Sequence, residues 1–127
     1  MGMTKIEVAK KYIDYLAQGN MEEVIALFTN DGQVHSPIYG VKPASQFYTD
    51  LSNDTLSSKL TINGIFEESQ ANRLALYFTY QWTLKSGKIV EFEVVDIITF
   101  NETNQITTLK IIYDTYITRQ LVGELER

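Results

Sequence analysis

The stretch Leu74–Phe100, LALYFTYQWTLKSGKIVEFEVVDIITF, reads as two long β-strands folded back on each other. Leu74, Leu76, Phe78, Tyr80, Trp82 and Leu84 share one side of the first run by period-two alternation. Val90, Phe92, Val94, Ile98 and Phe100 do the same in the second, and Ser86-Gly87 is a compact polar break suited to an antiparallel hairpin. One residue violates the pattern. Asp96 is the only charged residue on the apolar side of Val90–Phe100. Burial disfavours a carboxylate, so such an acid is either satisfied by strong donors or kept protonated as a donor itself. Both alternatives mark it as a candidate site residue, beside the plainer reading of a structurally satisfied buried acid.

Working outward, alternation predicts four strands, over about 59–68, 72–84, 88–100 and 105–117, with Asn101–Gln105 as the second tight turn. Leu109, Ile111 and Tyr113 share a face of the last. The N-terminal part has helical periodicity instead. Thr4 followed by Glu7 has the spacing of a capping box, and Gly19 suits the helix end. Within that helix Ile6, Ala9, Ile13 and Leu16 form one stripe, and Val8, Tyr12 and Tyr15 form a second. Asn20 with Glu23 repeats the capping spacing, and Val24, Ile25, Leu27 and Phe28 give a short second helix its buried side before Thr29-Asn30-Asp31-Gly32 breaks it. An extended segment Gln33–Ser36 precedes Pro37, Gly40 permits a turn, and Pro43 suits the first turn of a third helix reaching about Leu51. Arg119–Arg127 reads as a short helix or frayed tail. The expectation is a single α+β domain over residues 3–127, three N-terminal helices packed on a strongly curved antiparallel sheet with a cone-shaped interior.

Composition narrows the function classes. A chain of 127 residues with 44% hydrophobic and 21% charged residues has enough apolar mass for one real core. A net charge of −5 argues against a nucleic-acid surface. There is no apolar run long enough to cross a bilayer and no signal-peptide pattern at the start, so the expected location is cytoplasmic, without membrane contact. The absence of cysteine removes disulfides and thiolate chemistry, and one histidine with scattered acids gives no recognisable metal-ligand spacing. Isolated glycines do not make a phosphate-cradling loop, and no cofactor is expected.

Two stretches, KYIDYLAQGNMEEVIALFTNDGQVHSPIYG (Lys11–Gly40) and VVDIITFNETNQITTLKIIY (Val94–Tyr113), resemble the nuclear transport factor 2-like superfamily. Its cone-shaped, cystatin-like fold includes ketosteroid isomerases and SnoaL-like polyketide cyclases, and the resemblance spans nearly the whole chain. It implies that Tyr12 corresponds to the isomerase tyrosine that donates to a substrate oxyanion, Asp96 to its protonated aspartic acid, and Tyr48 to a further tyrosine of that network. The isomerase base, just before Pro37, is replaced by Ser36, a poor proton acceptor near neutral pH. His35 is the nearest titratable substitute, although alternation sends it to the face opposite Val34 and Ser36.

The expected site therefore combines Tyr12, Asp96, His35 and Ser36 as candidate catalytic groups with Tyr48, Phe78, Tyr80, Trp82, Phe92, Val94 and Tyr113 as candidate ligand-binding residues. Three readings stay open: proton-transfer chemistry of the isomerase or cyclase kind on a small, largely apolar ligand bearing a carbonyl or hydroxyl; a non-catalytic binding module for such a ligand; or a dimeric interaction module. The resemblance implies a homodimer formed through the sheet, and Tyr77, Thr79, Gln81 and Thr83 lie on its outer face with Ile112 and Asp114.

Overall fold

The computed structural model describes residues 2–125. In chain order the elements are α1 (Lys5–Gln18), α2 (Met21–Ala26), β1 (Phe28–Ser36), β2 (Gly40–Pro43), α3 (Ala44–Asp54), β3 (Thr55–Glu67), β4 (Arg73–Leu84), β5 (Ile89–Phe100), β6 (Ile106–Ile112) and α4 (Tyr116–Gly123). The described strands form one sheet in the order β2-β1-β6-β5-β4-β3. Every pairing is antiparallel except that of β1 with β6. That parallel join, which the hairpin pattern did not disclose, places β1 and its turn beside the end of β6.

The long strands bend because β3 carries register shifts between Thr55 and Ser57 and between Ile62 and Gly64, and β1 carries one between Phe28 and Gln33. An extra residue on one strand unpairs the ladder locally and increases its twist. The concave side of the sheet is covered by α1, α2 and α3. Tyr12 and Tyr48 are among the largest fully buried side chains there, joined by Leu74, Leu76, Ile98 and Leu109 from the sheet. Burying such side chains is the main favourable contribution to this fold.

Helix α1 forms as read. Thr4 Oγ1 accepts from Glu7 N at 3.1 Å, Glu7 Oε1 accepts from Thr4 N at 2.9 Å, and Gly19 closes the helix at φ +71°. Its two stripes merge into one broad face of Val8, Ala9, Tyr12, Ile13 and Leu16.

Several boundaries differ from the sequence expectation, each for a local reason. Asn20 makes no side-chain cap, so the second capping box is absent. Leu27 ends α2 and Phe28 opens β1, since Ile106 N donates to Leu27 O and draws the chain into the sheet. Strand β3 begins at Thr55, directly after α3, which runs on to Asp54. The final strand ends at Ile112, and residues 113–115 turn into α4, so Tyr113 lies just beyond the ladder.

Thr4→Ala removes half of the α1 capping box and should lower the unfolding free energy by about 0.5–2 kcal/mol, read as a lower urea midpoint with an unchanged slope.

Candidate functional site

The interior of the cone is set by strand register. Asp96 lies opposite Leu76 on β4 and Ile111 on β6, so a fully buried acid is centred in the sheet between apolar neighbours. The same registers put Phe78 beside Val94, Tyr80 beside Phe92 and Trp82 beside Val90. These inward side chains line a cavity of about 40 Å³, walled from β4 and β5 by Phe78, Tyr80, Trp82, Phe92, Val94 and Asp96. Tyr12 and Leu16 of α1, Phe47 and Leu51 of α3, Ser36, Tyr39, Ile111 and Tyr113 complete it. The volume holds water but is well below the ~150 Å³ at which an apolar protein cavity admits benzene. A ring-sized guest therefore requires one wall to move.

Three phenols surround the acid. Tyr12 and Tyr48 hydroxyls are hydrogen-bonded at 2.7 Å, and Tyr80 bonds Ser58 Oγ at 2.8 Å. Asp96 Oδ1 is buried without a hydrogen-bond partner among the described residues. Burial alone pushes the Asp96 carboxyl well above the usual carboxylate range. Tyr12 and Tyr48 are raised well above the ordinary phenol value, first by burial and further by the nearby Asp96. Tyr80 is raised in the same way, against the lowering effect of its bond to Ser58. A protonated acid among protonated phenols is a donor set, suited to a neutral oxygen acceptor or an oxyanion.

The sequence-derived residues fall into three groups. Tyr12, Asp96, Ser36, Phe78, Tyr80, Trp82, Phe92, Val94 and Tyr113 line the cavity. Tyr48 does not, and instead stands behind Tyr12 as its hydrogen-bond partner, enclosed by Phe28 and Phe47. His35, the nearest titratable substitute for a base, is not brought to the cavity. It pairs in register with Val41 and Lys110 and is absent from the lining, whereas its neighbour Val34 is buried. Ser36 lines the cavity but its Oγ accepts from Ile38 N at 3.1 Å and Tyr39 N at 3.0 Å. With both lone pairs engaged in the turn, it has no acceptor capacity for a proton.

Sequence reading missed Tyr39 and Phe47 in particular. Tyr39 lies in an irregular turn, where no periodicity assigns a side, and only its aromatic bulk signalled burial. Within the wall, Phe92 and Tyr113 stack with ring centroids 4.3 Å apart and 18° between planes. Trp82 is fixed from behind by Nε1 donating to Thr55 Oγ1 at 2.7 Å. No cluster of three or more potential metal ligands occurs among the described residues, and none of the described helices is long and apolar enough to cross a membrane.

The same architecture occurs in solved structures of low sequence identity. A nuclear transport factor 2-like protein of unknown function from Burkholderia pseudomallei superposes with TM-score 0.81 at 15% identity, covering 94% of this chain and 98% of that one. The chain has the nuclear transport factor 2-like fold. TerC, crystallised with polyporic acid, matches this fold with TM-score 0.79 at 16% identity, over 94% of this chain and 98% of its own. SalBIII, described as an epoxide hydrolase/cyclase-like enzyme in pyran ring formation in polyether salinomycin, matches at 12% identity with TM-score 0.77, over 91% and 92% of the two chains. No family model matches the sequence, and no curated protein does.

Two measurements check this electrostatic description. Because the folded pKa of Asp96 exceeds its unfolded value, its contribution to stability is fully present below the ordinary carboxylate range and is lost as pH rises through that range toward the folded pKa. Urea unfolding should therefore show wild type losing stability relative to Asp96→Asn by up to about 1.4 kcal/mol per pH unit above pH ~4; parallel curves would contradict it. In the second, Tyr48→Phe strips the Tyr12 hydroxyl of its partner and should cost about 1–3 kcal/mol. Adding Tyr12→Phe should cost less than the sum of the single changes, measured as a double-mutant cycle.

Proposed function

We propose that this domain binds a small, largely apolar molecule in its cone and directs a carbonyl or hydroxyl oxygen of that molecule at the Asp96 acid, with the Tyr12 hydroxyl beside it. The observation that carries the reading is the Asp96 carboxyl, buried in an apolar cavity wall with an oxygen lacking any described partner. Such an atom is costly unless a guest or a water satisfies it. A concave, mostly apolar interior with a few convergent polar groups is the usual form of a small-molecule site. The structural neighbours support the same class, since TerC was crystallised with polyporic acid and SalBIII is described as acting in pyran ring formation.

Within this reading the cone polarises a bound oxygen and does not remove a proton. Its titratable lining is Asp96 with the tyrosines Tyr12, Tyr39, Tyr80 and Tyr113, and burial favours the protonated form of Asp96, Tyr12, Tyr80 and Tyr113. Ser36 is committed to its turn and His35 is outside the wall. Isomerase-type turnover would need an acceptor supplied by the bound molecule itself.

Trp82, the only tryptophan, lines the cavity and reports on occupancy. Titration with 2-naphthol should quench its fluorescence saturably, and Asp96→Leu should weaken binding by about 3- to 10-fold while the fold is retained. Non-saturable quenching, or equal affinity in the variant, would contradict the proposal.

A further inference from the structure

Outside the cone, a groove of about 390 Å³ is lined by Ile38, Tyr39, Lys42, Asp50, Asn53 and Asp54. Tyr39 is the residue common to this groove and to the inner cavity of about 40 Å³. Its side chain thus stands between a space too small for a ring and a space large enough for one. Tyr39 Oη donates to Asp54 Oδ2, the carboxylate of a buried residue at the end of α3. Its ring meets Phe47 edge-on at 5.6 Å, and Lys42 Nζ lies 5.7 Å from the ring centroid on the groove side.

We propose that Tyr39 is the gate of the cone: turning it outward joins cavity and groove into one site that admits a molecule of ring size. This inference rests on the proposed binding function. Gly40, at φ +79° directly after Tyr39, gives the turn a backbone state that other residues resist, and Ser36 Oγ holds the Ile38 and Tyr39 amides, so opening is a rotation of the Tyr39 side chain on a fixed turn. Opening exchanges the Tyr39–Asp54 hydrogen bond for water contacts in the groove, which is open to solvent at its outer side. The ring leaves an edge-to-face contact with Phe47 and can stack on an incoming ring. Asp54 then serves as a latch, because a net side-chain hydrogen bond biases the closed state by about 2- to 10-fold.

The gate can be tested without knowing the natural ligand. Trp82 is 2% exposed behind the gate, so acrylamide quenching of its fluorescence reads opening directly. Tyr39→Phe keeps the ring and removes the latch, and should raise the quenching constant several-fold with unchanged far-ultraviolet circular dichroism. Tyr39→Ala should raise it further. In stopped flow, Tyr39→Phe should speed both association and dissociation of 2-naphthol while leaving its Kd within about threefold. Wild-type quenching in both variants would overturn the gate, as would an increase confined to Tyr39→Ala, which would make the ring a fixed wall. Increased quenching in both variants with no 2-naphthol binding to either would uphold the gate and remove the binding function on which its purpose rests.

Discussion

A carboxyl group without a charge partner in the wall of an apolar cavity constrains the rest of this molecule. Its neighbours Leu76 and Ile111 offer it nothing polar, so burial pushes its carboxyl well above the usual carboxylate range and favours the protonated form. The phenols around it follow the same logic. Tyr12, Tyr48 and Tyr80 are raised first by burial and then by the nearby Asp96, and all are hydrogen-bonded as neutral groups. What results is a pocket rich in donors and poor in proton acceptors, the basis of the proposed role in orienting an oxygen.

The fold makes this arrangement possible by bending a sheet and covering it on one side. Register shifts in β3 and β1 curve the strands, and helices α1 and α3 bring Tyr12 and Tyr48 down onto the concave face. The walls stay apolar because inward positions of β4 and β5 alternate strictly. The interior is narrow for the same reason: aromatic side chains fill most of it. Narrowness gives the half-buried Tyr39 its importance, since it is shared between the filled cone and an open groove.

Much of this was readable from residue order. Period-two alternation located β4 and β5 almost to the residue, and it singled out Asp96 because a charged group breaks an apolar stripe visibly. The Thr4/Glu7 spacing and Gly19 set both ends of α1. Other features have no signature of that kind. The parallel β1–β6 pairing joins segments far apart in the chain, and nothing local encodes it. Asn20 and Glu23 have capping spacing, yet Asn20, at φ −86° and ψ 75°, makes no side-chain cap. Tyr113 continues the alternation of β6, but the chain turns at that point to start α4. Ser36 reads as a replaced base, whereas its hydroxyl is engaged by the two amides of the following turn. The contacts of Tyr39 to Asp54 and Phe47 are tertiary, and no local pattern announces them.

The neutral state of Asp96 can be observed directly by carbon NMR of protein labelled at the aspartate carboxyl, with Asp96→Asn used to assign the resonance. The account predicts that the Asp96 signal keeps the shift of a protonated acid well above the pH at which the surface aspartates have titrated. A midpoint near the ordinary aspartate value of about 3.9 would contradict it.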